Sequence, residues 1–163
     1  MDRDAWFRVL FVCSGNTCRS PMAAAALIAE LGPDAARVEV ASAGTSAREG
    51  ESASAGSIEV TRAHGIDLSG HRARRATREI VGDATLTFVM EPHHREALEA
   101  MGAPVARTFL LSEFPKPGEP GLAVFDPFGA STEAYEECWR RIRLHVRRLV
   151  PFVREQIGLV DPS

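Results

Sequence analysis

Lysine is almost absent from this chain: Lys116 stands alone among 19 basic residues, the others all being arginine. That skew reads first as genomic base composition. Cysteine is scarce too, with three residues spread widely along the chain. An odd, scattered set excludes a disulfide framework and leaves reactive or buried thiols as the expectation. No apolar run approaches the length needed to span a bilayer, which argues against a membrane protein. The opening Met1-Asp2-Arg3-Asp4 lacks the basic flank and apolar stretch of a secretory signal, so a cytoplasmic location is expected. Net charge is only −3, which gives no preference for nucleic acid or an anionic membrane. Repeats, low-complexity tracts and dividing linkers are missing as well, so 1–163 is read as one domain. Its 163 residues, 45% of them hydrophobic, suffice for a real core.

What the chain does have is a distinctive start, Val9-Leu10-Phe11-Val12-Cys13-Ser14-Gly15-Asn16-Thr17-Cys18-Arg19-Ser20-Pro21. An apolar run ends in a cysteine, a loop of small and polar residues follows, and a helical pattern begins. Strand, tight loop and helix N-terminus together build anion sites, because loop N–H groups and the helix macrodipole both favour negative charge. A thiol in such a ring is expected to ionise easily. Arg19 adds a planar fork for two phosphate oxygens.

Strands are predicted over residues 8–12, 37–42, 84–90 and 105–111. Helices are predicted over 22–31, with Ser20 as its cap, over 57–64, 77–81 and 92–102, and from Ser131 onward. Pro151 is expected to kink or end the last helix. Alternating strands and helices imply an α/β fold with a parallel sheet covered on both faces. Residues 112–130, with Pro115, Pro117, Pro120 and Pro127, form a connection long enough to suggest function.

Cys13 and Arg19 close a loop that can wrap phosphoryl oxygens with N–H donors and hold a sulfur beneath the phosphorus. Attack would form a cysteinyl-phosphate that water later hydrolyses. Ser20 can donate to the sulfur. Asp126 is the candidate general acid, with Phe125 and Phe128 expected to desolvate it and favour its protonated form.

Cys13 to Pro21 with Asp126-Pro127 resembles the low-molecular-weight protein tyrosine phosphatase family, over essentially the whole chain. Ser42-Ala43-Gly44 and His71 fit as well. The resemblance implies a three-layer fold: a central four-stranded parallel sheet, helices on both faces, and the phosphate-binding loop (Ser14, Gly15, Asn16, Thr17, Cys18, Ser20) after the first strand. It implies catalysis by Cys13, Arg19 and Asp126, support from Asn16, Ser20, Ser42 and His71, and a left-handed Asn16. It implies phosphorylated proteins as partners and phosphate or other oxyanions in the loop. No cofactor or metal is expected, and a monomer is. Thr17, where tyrosine-directed members carry a large aliphatic residue, and Phe128-Gly129 after Asp-Pro are similar to the bacterial protein-arginine phosphatase branch. Thr17 and Phe128 would then wall the substrate.

Other readings are weaker. Arsenate reductases with a similar loop need a further cysteine pair, and none lies between Cys18 and Cys138. A phosphopeptide-binding module would not need Cys13, Arg19 and Asp126 together. Cys18 is either a packing residue or a trap for oxidised Cys13, and Cys138 belongs to the core. His93 and His94 are expected on an exposed helix start, without zinc-ligand spacing. Arg72, Arg74, Arg75 and Arg78, and the arginines from Arg140 to Arg148, are expected on solvated faces.

Overall fold

The computed structural model describes residues 7–114 and 123–160. Pro115, Pro117 and Pro120 of the expected long connection lie outside them. Four strands, β1 (Phe7–Cys13), β2 (Val38–Gly44), β3 (Leu86–Val89) and β4 (Thr108–Leu110), pair in parallel in the order β2-β1-β3-β4. Five helices cover the sheet: α1 (Arg19–Leu31), α2 (Ala55–Ala63), α3 (Arg78–Asp83), α4 (Pro92–Ala100) and α5 (Thr132–Val160).

The unbroken apolar run of β1 follows from burial on both faces. Phe7, Val9, Phe11 and Cys13 join a core with residues of α1 and α5, whereas Leu10 and Val12 join a second core with Val81 of α3 and Leu98 of α4. Period-2 alternation along one strand thus makes three layers. It also sets Cys13 on the α1 and α5 side, at the carboxyl end of the sheet. There the chain runs from β1 to β2 on one side and returns to β3 on the other, the switch point at which open α/β sheets place ligands.

Several local expectations are corrected. β4 keeps only Thr108–Leu110, because the 3₁₀ turn Val105–Arg107 follows Pro104 and takes the residues before it. α3 runs on to Asp83, past the expected end at residue 81, with Gly82 inside it. Pro151 does not stop α5, which runs 29 residues through it. Pro151 is exposed, so the carbonyl it leaves without a helical partner lies on the solvent side. The α5 arginines are not simply solvated: Arg143 and Arg147 both reach Glu30 of α1 (3.4 and 3.0 Å), and Arg154 reaches Asp34 at 3.0 Å. Among the described residues no helix is long and apolar enough to cross a membrane.

Replacing Pro151 by alanine restores a backbone donor on an exposed helix face. Pro151→Ala is expected to raise unfolding stability by about 1–3 kcal/mol, read as a higher urea midpoint. A lower midpoint would mean that the proline-specific shape of α5 is needed for packing.

Candidate active site

Between Cys13 and α1 the chain makes one tight loop whose carbonyls are tied outward. Thr45 N–H donates to the Cys13 carbonyl (2.9 Å), Ser46 N–H to that of Ser14 (2.9 Å), and Ser54 N–H to that of Thr17 (2.9 Å). His71 Nε2 donates to the Asn16 carbonyl at 2.7 Å. A trans peptide is planar, so the N–H on the far edge of each tethered plane turns inward; these belong to Ser14, Gly15, Thr17 and Cys18. The result is a concave ring of donors with sulfur at its floor.

Asn16 locks this shape. It alone among non-glycine described residues has positive φ, at 56°. Its Nδ2 donates to Ser20 Oγ (2.8 Å) and Ser42 Oγ (2.9 Å), and its Oδ1 accepts from Arg74 N–H (2.9 Å). Arg74, expected on a solvated face, instead anchors the loop through that N–H and through Nε to the Ser42 carbonyl (3.0 Å). Gly44 makes the close approach possible: a Cβ there would sit 2.4 Å from the Ser14 carbonyl and 2.9 Å from Asn16 N.

Ser20 is not the helix cap. Cys18 occupies that position without a side-chain cap bond, and Ser20 lies in the first turn. Its Oγ accepts from Asn16, and its proton has two acceptors in reach, Cys13 Sγ at 2.9 Å and the Ala43 carbonyl at 3.4 Å; the Ser20 N–H lies 3.4 Å from the sulfur. Burial pushes the Cys13 thiol up, whereas the Ser20 hydroxyl and N–H, Arg19 and the Asn16 N–H pull it down. The easy ionisation expected from sequence is thus opposed by the enclosure of Cys13, which is 2% exposed.

Arg19 is buried beside it. Its Nη1 donates to Glu91 Oε2 (2.8 Å) and the Val124 carbonyl (3.2 Å), and its Nη2 lies 3.9 Å from Asp126 Oδ2. Asp126 is not enclosed by its neighbouring phenylalanines: its side chain is 53% exposed, and Phe128 is 69% exposed. Its Oδ1 accepts from the Phe128 N–H at 3.1 Å, which orients the carboxyl. A cavity of about 200 Å³ is lined by Cys13, Thr17, Arg19, Glu51, Asp126 and Phe128, with Gly15 and Cys18 completing it. A larger groove of about 680 Å³ along α5 carries arginines and Trp139 but no nucleophile.

Cys18 makes a separate contact set, with Ser54 Oγ at 3.2 Å and Tyr135 Oη at 3.5 Å. Tyr135 packs on Gly56, where a Cβ would meet its ring at 2.4 Å. Cys138 is fully buried, and burial pushes its thiol up to about 12.

The residues that sequence reasoning missed are Glu91, His94 and Glu51. His94 is not at an exposed helix start; it is fully buried, whereas His93 is exposed. Its Nδ1 accepts from the Glu91 N–H (3.1 Å), so the proton sits on Nε2, 2.8 Å from Ser14 Oγ. Burial, with Arg19 and His93 nearby, pushes His94 down to about 4. The available signal was position: Glu91-Pro92 follows β3, the strand beside β1 at the switch point. Glu91, His93 and His94 place donor atoms within 4.8 Å of one another, but both His94 nitrogens and the Glu91 carboxylate already serve hydrogen bonds.

The neutral state of His94 has a consequence for folding. The unfolded chain takes up this proton near the ordinary value of 6.5 and the folded chain only near 4. The stabilisation is complete above about pH 6.5 and is lost as pH falls toward 4. His94→Gln is expected to remove about 2 kcal/mol of the stability difference between pH 7 and pH 4.5, measured by urea unfolding. Equal pH dependence in both proteins would contradict this.

Residues 8–158 match the family model described as low molecular weight phosphotyrosine protein phosphatase. A protein-arginine-phosphatase of Geobacillus stearothermophilus is 37% identical over 144 residues, covering 88% of this chain and 93% of that protein. A probable low molecular weight protein-tyrosine-phosphatase, EpsP, of Ralstonia nicotianae is 35% identical over 147 residues, covering 90% and 95%. The solved structure of the YwlE arginine phosphatase from Geobacillus stearothermophilus superposes with a TM-score of 0.84 at 34% identity, covering 96% of this chain and 99% of that one. Fold, loop and relatives agree that this chain is a phosphatase and belongs to the low-molecular-weight phosphotyrosine protein phosphatase family.

Proposed function

We propose that this phosphatase hydrolyses phosphorylated side chains of proteins through a cysteinyl-phosphate on Cys13, with phosphoarginine as its preferred substrate. The phosphoryl oxygens take the inward N–H groups of the loop and the free edge of Arg19. The Cys13 thiolate attacks phosphorus, the bond to the leaving nitrogen or oxygen breaks, and Asp126 gives the leaving atom its proton. Water then attacks the same phosphorus, Asp126 takes the water's proton, and the sulfur–phosphorus bond breaks. The Ser20 hydroxyl, 2.9 Å from the sulfur, stabilises the departing thiolate. Ser42 and His71 act through Asn16, not on the substrate.

The preference is carried by the lining of the cavity. Thr17 is small and polar, and the Glu51 and Asp126 carboxylates share the lining with it. A phosphoguanidinium presents N–H groups beside its phosphorus, and carboxylates accept from them. An apolar phenyl ring gains nothing from this. The protein-arginine-phosphatase relative supports the same reading. Phosphotyrosine is the second reading, favoured by the exposed Phe128 ring on the cavity, which offers a stacking face. The reading includes a monomeric, single-domain enzyme of the cytoplasm, a compartment that suits three unpaired cysteines.

Asp126→Ala is expected to lower kcat/KM for phenyl phosphate by about 100-fold or more, and for p-nitrophenyl phosphate far less, because kcat/KM reports departure of the leaving group and nitrophenolate leaves without a proton. Equal losses on both substrates remove Asp126 from the acid role. On paired phosphoarginine and phosphotyrosine peptides the native protein is expected to prefer phosphoarginine. Thr17→Ile is expected to shift the ratio of kcat/KM toward phosphotyrosine by about tenfold or more. An unchanged ratio, or a native preference for phosphotyrosine, overturns this assignment.

A further inference from the structure

The turn between β3 and α4 spends its polar groups twice. Glu91 and His94 cap the start of α4 reciprocally, the Glu91 carbonyl accepting from the His94 N–H (3.0 Å) and His94 Nδ1 accepting from the Glu91 N–H (3.1 Å). A cap needs no more than that. Yet Glu91 also reaches Arg19 at 2.8 Å, and His94 Nε2 reaches Ser14 Oγ at 2.8 Å. We propose that Glu91 and His94 are positioning residues: the cap of α4 is a clamp that holds both ends of the phosphate loop, Ser14 at its start and Arg19 at its end, in one hydrogen-bonded unit.

The clamp matters at each end for a different reason. Glu91 and the Val124 carbonyl together hold Nη1 of Arg19, which is 2% exposed. The guanidinium then offers its Nε and Nη2 edge to a ligand, the pair that matches two oxygens of a phosphoryl group. Among the described residues, the buried cation without Glu91 keeps the Val124 carbonyl and the more distant Asp126 as acceptors. At the other end, His94 is fully buried, and a neutral ring with its proton on Nε2 needs an acceptor. Ser14 supplies it. Because the Ser14 carbonyl is also held by Ser46 N–H, the residue is pinned from two sides, and the Gly15 N–H across that peptide plane is aimed at the cavity. This support stands opposite the Asn16, Ser42 and His71 network, and it enters from the far side of the sheet.

The clamp rests on the reading of the loop as the phosphoryl site, and the test separates the two. Inorganic phosphate binding is measured by calorimetry, and turnover is measured with p-nitrophenyl phosphate, on the whole protein and its variants. Glu91→Gln keeps a capping oxygen but loses the charge facing Arg19; it is expected to weaken phosphate binding by about tenfold, the scale of one charge-assisted hydrogen bond. His94→Asn keeps an acceptor near the Nδ1 position but is too short for Ser14. It and Ser14→Ala are each expected to lower kcat by about tenfold, and the double variant no further, since both cut the same bond. A merely structural role would lower the urea midpoint and leave this non-additivity absent. Additive losses from Ser14→Ala and His94→Asn, or native phosphate affinity in folded Glu91→Gln, overturn the clamp while the loop reading stands. Failure of the native protein to bind phosphate at all overturns both.

Discussion

The site depends on which way the peptide planes between Cys13 and Arg19 face. Each inward N–H exists because the carbonyl across the same plane is tied to something outside the loop: Thr45 and Ser46 beyond β2, Ser54 at the start of α2, His71 in the central connector. These partners come from distant parts of the chain, so the donor ring is a product of the whole fold. Asn16 bears the conformational cost. A left-handed non-glycine residue costs about 1–2 kcal/mol, and its three side-chain hydrogen bonds, each contributing about 1 kcal/mol net, offset it.

The sheet supplies the geometry in which these ties can meet. With β1 central and flanked by β2 and β3, the carboxyl ends of three parallel strands converge on one crevice. β1 delivers the sulfur, β2 delivers Ser42 and the Gly44 surface on which the loop rests, and β3 leads to Glu91 and His94. The loop before α5 brings Asp126 over the top. Burial then works both ways. It raises the Cys13 thiol by desolvation, and it strengthens every hydrogen bond that favours the thiolate.

How much of this could be read from residues alone divides by sequence distance. The strand, loop and first helix are local, and Cys13 to Pro21 spells them out; the sheet class follows from the alternation of apolar runs with helical patterns. Asn16, Ser42 and His71 come together as the family resemblance implied. Ser20 reads as a cap because serine before a proline usually is one, but here its hydroxyl is claimed by Asn16 and Cys13. Glu91-Pro92-His93-His94 reads as a plain helix start, and nothing local says that the second histidine turns inward while the first stays in water. The contact that draws it in lies 80 residues away. Pro151 reads as a kink or an end, and α5 runs on through it; local chemistry cannot say which face of a long helix meets the solvent.

The central claim is that Cys13 carries the phosphoryl group between substrate and water, and rapid-quench mass spectrometry of the Asp126→Ala protein with p-nitrophenyl phosphate tests it most directly. Loss of the proposed acid–base carboxyl should slow hydrolysis of the intermediate more than its formation from an activated substrate. The predicted result is a phosphoryl adduct on the Cys13 sulfur that forms with the first burst of nitrophenolate and decays at the rate of phosphate release. Phosphate release at that same rate with no adduct on Cys13 at any time would contradict the account.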